Sequence, residues 1–221
     1  MRGLTRLASR PAFIAPDGVL GHRYFGRISR LRDKEGLPGV RYGMPKLIPR
    51  DTDFVDTAPI RITTVVTAKA TPEEVWAVMA DNERWPEWFE GMKSCRTTSD
   101  ASGGVGSTRF VHVDLFRVNE RFVAWDPPHR WAFTILDVNL PGVVSVVEHA
   151  LIEPVGTGDT RVTYVMASEV APYLRPLVPI LRWRLAGMFK KGLAGLERQV
   201  VRLRAQNKAD GATASVVHSA H

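Results

Sequence analysis

The chain has 221 residues, a net charge of +7 and a single cysteine, Cys95. This length suits one sizeable domain with extensions, and one cysteine excludes an intramolecular disulfide and a cysteine metal cluster. No apolar run approaches the roughly 20 residues that cross a bilayer, so we expect a soluble or peripheral protein in a reducing, cytoplasmic setting.

The positive charge lies at the two ends of the chain. Residues 1–58 hold eleven Lys/Arg against six Asp/Glu, and residues 176–208 hold eight against one. The segment 59–175 holds eleven against fifteen, so it is mildly acidic. Nucleic-acid binding needs a basic patch together with a reading element. The sequence has no helix-turn-helix, zinc-finger or RNA-binding motif, and we therefore predict no nucleic-acid partner.

Residues 1–57 are predicted to form a basic, Gly/Pro-rich N-terminal extension. Within it, a short amphipathic helix is predicted from an apolar face opposite an arginine face, formed by Leu20, Tyr24, Phe25, Ile28 and Leu31 against Arg23, Arg27 and Arg30. Two interpretations of this helix stay open. It docks on the neighbouring domain, or it associates weakly with an anionic membrane surface.

Residues 62–94 predict one strand followed by two short helices. The β-branched run at 62–69 is typical of a strand. Thr71 then caps a helix whose first turn contains a proline and two glutamates, the residue types favoured at a positive helix end. A second short helix carries three aromatic side chains at helical spacing, Trp85, Trp88 and Phe89. Such large aromatic side chains are predicted to be buried.

Residues 106–170 predict five further strands, at 106–114, 115–125, 130–137, 143–154 and 160–170. The short turns between them favour an antiparallel meander. In the second of these strands, Phe116, Val118 and Phe122 alternate with polar neighbours. One face of the sheet is therefore apolar and must be covered by another element.

The predicted cover is a helix of about 25 residues that begins near Pro176. Its apolar residues recur at steps of three and four, namely Leu181, Leu185, Phe189, Leu193, Leu196, Val200 and Leu203. Three glycines each weaken it by up to about 1 kcal/mol relative to alanine. They allow close approach to the sheet or leave room for a ligand. Residues 207–221 are predicted to be a disordered tail.

This order of elements resembles the START-related helix-grip (SRPBCC) superfamily, in its polyketide cyclase/dehydratase-like branch. The resemblance is carried by TPEEVWAVMADNERWPEWFEGMKS, NERFVAWDPPHRWAF and EHALIEPVGTGDTRVTY, and it covers about residues 60–206. It implies an α+β helix-grip fold, in which a curved antiparallel β-sheet wraps around a long C-terminal α-helix, with two short helices after the first strand. The ligand-binding domain would then span residues 58–206.

The resemblance also implies an elongated cavity between the sheet and the last helix. Members of the superfamily bind sterols, phospholipids, quinones, plant hormones or polyketide intermediates, and some catalyse cyclisation or dehydration. They share no universal catalytic motif that transfers to this chain. We predict that the cavity is lined by Trp85, Trp88, Phe89, Phe116, Phe122, Trp131, Phe133, Tyr164, Leu185 and Phe189.

Polar side chains that face such a cavity are candidates for catalysis. Glu120 shares strand parity with its apolar neighbours, so we expect its carboxyl to point inward, where burial would favour the neutral form and a general acid or base role. Glu148 and His149 lie on opposite faces of one strand, so one of them should face the cavity. His112, Asp137 and Tyr164 are further candidates.

Three functions are compatible with these patterns. The first is the binding of a small hydrophobic ligand (a lipid, a quinone or a polyketide-like molecule) without catalysis. The second is an aromatase/cyclase or dehydratase-like enzyme that uses Glu120, Glu148 or His149. The third is a peripheral membrane protein that handles lipids through its basic ends. We predict neither a metal nor a cofactor, since P-loop, dinucleotide and HExxH motifs are absent, and Cys95 is predicted to be a buried structural thiol.

Overall fold

The computed structural model describes the backbone of residues 43–218 and the side chains of residues 43–208. The amphipathic helix predicted at residues 20–31 lies outside this range. The seven strands are β1 (Ile60–Ala68), β2 (Met92–Thr97), β3 (Thr108–Val113), β4 (Phe116–Asp126), β5 (Arg130–Val138), β6 (Val143–Val155) and β7 (Asp159–Val170). They form one antiparallel sheet in the order β1-β7-β6-β5-β4-β3-β2.

The strand order places β1 and β2 at opposite edges of the sheet although they are neighbours in the sequence. The connection contains α2 (Pro72–Ala80) and α3 (Trp85–Trp88), the two short helices that were predicted. At the start of α2, the Glu74 amide donates to Thr71 Oγ1 and the Thr71 amide donates to a Glu74 carboxylate oxygen, so the predicted cap is confirmed. β2 was not predicted, because Cys95 is its one fully buried residue and no apolar alternation marks it.

The remaining helices are α1 (Phe54–Thr57), α4 (Val178–Leu193) and α5 (Leu196–His218). A single C-terminal helix was predicted, whereas Ala194 and Gly195 separate α4 from α5. The break lets Gly195 approach the backbone carbonyl of Trp88 more closely than any side chain would permit. α5 continues to residue 218, so the predicted disordered tail begins inside this helix.

Residues 43–57 belong to the same compact unit as the sheet. The Leu47 amide donates to the Leu136 carbonyl at 2.9 Å, and the Ile48 amide donates to the Val144 carbonyl at the same distance. Phe54 and Val55 of α1 pack on the outer face of β6 and β7. The unit therefore begins at Gly43, earlier than the boundary at residue 58 that composition indicated.

The inner face of the curled sheet packs against α3, α4 and α5 and forms the main core. A long C-terminal helical segment against a curved antiparallel sheet is the helix-grip arrangement, so the predicted fold class is confirmed. Among the residues described, no helix is long and apolar enough to cross a membrane.

Replacing Gly195 with alanine is expected to lower the free energy of unfolding by about 1–3 kcal/mol, the range for overpacking a filled site. The new methyl group would overlap the carbonyl oxygen of Trp88, a backbone atom that cannot rotate aside. Urea titration followed by circular dichroism measures the change.

Gly187→Ala is the matched control, because Gly187 lies in α4, where an added methyl group would have no atom within 4 Å beyond its chain neighbours and the adjacent helix backbone. Alanine at this position should raise the free energy of unfolding by up to about 1 kcal/mol through its helix propensity. Equal effects of the two substitutions would contradict the close contact between Gly195 and Trp88.

Candidate functional site

A cavity of about 120 Å³ lies between the inner face of the sheet and α4. Most of the side chains that line the cavity are aliphatic or aromatic. Among the described residues, the polar side chains in this lining are Arg109, Glu120, Glu148, Tyr164, Ser168 and Arg182. An apolar cavity of about 150 Å³ is large enough to admit benzene. The volume of the cavity in this state is therefore comparable to that of a site for a single aromatic ring.

Seven of the ten residues predicted to line the cavity do so, namely Trp85, Phe89, Phe116, Phe133, Tyr164, Leu185 and Phe189. The other three, Trp88, Phe122 and Trp131, are buried in the core and do not line the cavity. Trp88 packs against Trp85, with ring centroids 4.8 Å apart. Phe122 and Trp131 surround the side chain of Arg109 instead of facing the open space.

Arg109 of β3 is the functional candidate that sequence reasoning missed. Its side chain is 2% exposed, and its Nε donates to Glu120 Oε2 at 2.6 Å. Its Nη1 donates to Asn82 Oδ1 at 2.9 Å. Four aromatic rings lie 4.6–5.7 Å from the guanidinium carbon, those of Trp85, Phe122, Trp131 and Phe133. One feature of the sequence could have identified it. Arg109 alternates along β3 with Val111 and Val113, so the three side chains lie on the same face of the strand, and both valines also line the cavity.

Glu148 of β6 and Tyr164 of β7 form the second polar pair at this buried end. The Tyr164 hydroxyl donates to Glu148 Oε2, and both side chains are buried. Burial, together with the nearby charge of Glu120, raises the pKa of Glu148 to about 8. Burial also raises the pKa of Tyr164 well above its ordinary value. At neutral pH the pair therefore consists of a neutral carboxyl and a neutral phenol.

The two carboxyl groups titrate as a coupled pair. Burial raises the pKa of Glu120, and the Arg109 guanidinium opposes that rise through charge and hydrogen bonding. Since Glu120 contacts the guanidinium directly, we assign the negative charge to Glu120 and the retained proton to Glu148. The buried end is then neutral overall, with one ion pair and one proton donor.

The other polar candidates lie away from the cavity. His149 points to the opposite face of β6 from Glu148, and burial lowers its pKa. Asp137 accepts hydrogen bonds from Asn119 Nδ2 at 2.6 Å and Lys46 Nζ at 2.9 Å. His112 is not among the lining residues. Of the predicted catalytic candidates, Glu120 and Glu148 thus reach the cavity and His149 does not.

The residues described contain no group of three His, Cys, Asp or Glu side chains that could hold a metal ion. Cys95 is buried, and burial raises the pKa of its thiol to about 12. Its thiol is therefore unreactive at neutral pH, as expected of a structural cysteine.

The wild-type protein is expected to lose stability relative to Glu148→Gln as the pH rises from about 4.5 to about 8, by a few kcal/mol in total. The folded state keeps the Glu148 proton up to about pH 8, whereas an unfolded glutamate releases it near 4.5. Because the folded state binds the additional proton in this window, the contribution is fully present below pH 4.5 and lost by about pH 8. Urea titrations across this range measure it.

Glu153→Gln is the control for this comparison, since Glu153 lies on the same strand and is exposed. It should retain the wild-type dependence on pH. The lowered pKa of His149 acts in the opposite direction, and it cancels because His149 is present in all three proteins. If the free energy of unfolding changed with pH by the same amount in wild type and Glu148→Gln, Glu148 would be ionised in the folded protein.

Replacing Arg109 with methionine is expected to cost about 3–5 kcal/mol of stability, because Glu120 then stays buried without its counter-ion. The double variant Arg109→Met/Glu120→Gln should recover most of that loss. Arg61→Met is the control, since its side chain and that of its partner Asp56 are 50% and 83% exposed. An exposed pair contributes less than about 1 kcal/mol. A double variant as unstable as the single one would contradict this account.

Comparison with known proteins gives a consistent assignment. The family model described as polyketide cyclase / dehydrase and lipid transport matches residues 59–201. An uncharacterized protein of Mycobacterium tuberculosis is 30% identical over 146 residues, which cover 66% of this chain and 87% of that protein.

Two solved structures share the fold at low sequence identity. A START superfamily protein from Mycobacterium smegmatis is 18% identical with a TM-score of 0.54, covering 65% of this chain and 98% of its own. The Zhui aromatase/cyclase from Streptomyces is 16% identical with a TM-score of 0.53, covering 65% and 94%. The chain belongs to the polyketide cyclase/dehydrase and lipid-transport family, as its sequence motifs indicated.

Proposed function

We propose that this protein binds a small, largely apolar molecule that carries one hydrogen-bond acceptor, such as the carbonyl of an aromatic ketone or a quinone. The observation that carries the proposal is the proton donor at the buried end of an apolar cavity, formed by Glu148 and Tyr164. The apolar walls would supply affinity at about 25 cal/mol per Å² buried. The carboxyl group of Glu148 would orient the ligand by donating to its carbonyl oxygen.

The size of the cavity limits the ligand in this state to about one ring. Larger ligands require α4 to move outward from the sheet. Leu181, Leu185 and Met188 of α4 line the cavity while remaining partly exposed, so that the α4 wall is less completely packed than the sheet. A range of ligand lengths is therefore compatible with the same buried end.

The same pair of side chains favours a second candidate function, acid catalysis of a cyclisation or dehydration. In such a step Glu148 would transfer its proton to a carbonyl or hydroxyl oxygen of the bound molecule, and Arg109 and Glu120 would hold the surrounding charge fixed. The family description includes cyclases and dehydrases, and the structurally similar Zhui protein is described as an aromatase/cyclase. Binding is the first proposal, because catalysis requires it.

Calorimetric titration with acetophenone and with ethylbenzene is expected to show tighter binding of the ketone at pH 6, by about fivefold for one net hydrogen bond. The preference should fall above about pH 8, where Glu148 loses the proton that it donates. Glu148→Gln keeps an N–H donor without that ionisation, so its preference should be independent of pH. Equal affinities for the two probes throughout would contradict the proposed orientation.

Native mass spectrometry of protein purified from its own host, followed by extraction, is expected to find a stoichiometric small molecule with a carbonyl group. That molecule is then the substrate to test for turnover by wild type and Glu148→Gln. Binding by both proteins with turnover by wild type alone would establish acid catalysis. An empty protein that none of a panel of lipids, quinones and aromatic ketones stabilises would contradict ligand binding.

A further inference from the structure

The outer side of α4 and of the turn before it (residues 172–177) exposes large apolar side chains to solvent. Tyr173 is 67% exposed, Leu177 49%, Ile180 60% and Trp183 76%. Their spacing of four, three and three residues places them on one side of this segment. Single exposed apolar side chains are common, whereas a contiguous series marks an interaction surface. We call these four residues and the cations beside them the α4 surface.

The cations of the α4 surface are Arg175, Arg184, Lys190 and Lys191. No Asp or Glu occurs between Val170 and Leu196, so the segment carries charge of one sign. Within residues 43–208, Lys191 alone of these cations lies near a carboxylate, with its Nζ 3.9 Å from Glu90. The α4 surface is thus both apolar and positively charged.

We propose that the α4 surface docks on an anionic lipid bilayer. A helix with exposed apolar side chains between cations is typical of a segment that lies in the membrane interface. Tryptophan and tyrosine favour the headgroup region, because one part of each ring system is apolar and another donates a hydrogen bond. Lysine and arginine are attracted to the negative surface potential of anionic lipids. Each property of the α4 surface therefore has a counterpart in the bilayer.

The N-terminal segment of the same chain does not complement this surface. Residues 1–42 hold nine Lys/Arg against three Asp/Glu, so their net charge has the same sign as that of the α4 surface. Like charges oppose such an association, whereas both segments are attracted to an anionic bilayer. The sign of the charge therefore favours an anionic bilayer, rather than the N-terminal segment, as the partner of the α4 surface.

Docking in this way has a consequence for the cavity, which rests on the proposed ligand-binding function. Val178, Leu181 and Leu185 line the cavity from α4 and are partly exposed, whereas Arg109 and Glu148 at its other end are buried. The open end of the cavity is therefore on the α4 side. A bilayer on the α4 surface would lie beside this opening, and an apolar ligand would pass between the two with little exposure to water.

The first test is sedimentation of the full chain with vesicles of phosphatidylserine and phosphatidylcholine in equal amounts. Arg184→Ser/Lys190→Ser should weaken binding by about fivefold per residue, since a cation near an anionic surface contributes about 1 kcal/mol. Arg198→Ser/Lys208→Ser is the matched control, because it removes two exposed cations from α5. Binding should also fall when the salt concentration rises or phosphatidylserine is omitted.

The second test locates the contact with an environment-sensitive dye on a single introduced cysteine. Cys95 is the one native cysteine, and its burial leaves the new thiol as the reactive one. When the anionic vesicles are added, the emission spectrum of a dye at Ile180→Cys should shift as it does in an apolar environment. A dye at Val201→Cys, on α5 and 55% exposed, should not shift.

Sedimentation with unchanged dye spectra at both positions would overturn the proposal, because the bilayer would then bind another part of the chain. Equal losses for the two double variants would overturn it as well, since binding would depend on charge without a defined surface. The absence of sedimentation with the anionic vesicles would also overturn the proposal. Vesicle binding by a protein that fails to bind acetophenone would uphold docking while contradicting the proposed ligand, so the two failures are distinguishable.

Discussion

The buried ion pair of Arg109 and Glu120 is the interaction on which the interior of this protein depends. A guanidinium removed from water is costly unless its donors are satisfied, and Glu120 and Asn82 accept two of its hydrogen bonds. Four aromatic rings complete its surroundings and interact favourably with the cation. The ion pair thus fixes the relative positions of β3, β4 and the connection between α2 and α3, and these elements close one end of the cavity.

The ion pair also determines the protonation of its neighbours. Once Glu120 carries the negative charge, a second charge on Glu148 would be unfavourable in the same dry region. Glu148 therefore keeps its proton and shares a hydrogen bond with Tyr164. The glutamates on β4 and β6, with β5 between them, consequently have different roles, one as a counter-ion and one as a donor. The chemical character of the site follows from this asymmetry.

Local patterns in the sequence predicted most of the fold and part of the site. Strand alternation, the Thr71 cap and the apolar helix stripe identified six of the seven strands and the helical cover. Parity also placed Glu120 inside correctly. β2 was missed because an edge strand with one fully buried residue has no alternation to detect. Arg109 was missed because its strand parity with Val111 and Val113 does not by itself reveal that Glu120 and Asn82 satisfy a buried cation at this position.

The break between α4 and α5 divides the C-terminal segment into two helices with different roles. α4 forms one side of the cavity, and α5 is bound to the rest of the domain. Arg204 of α5 is bound to Glu74 through two hydrogen bonds of 2.5 and 2.6 Å, and Gln199 donates to Glu87. Leu196 and Val200 are almost fully buried beneath them. α4 has few buried residues and borders both solvent and cavity. Substitutions in α4 can therefore change the shape of the cavity, while α5 preserves the stability of the fold.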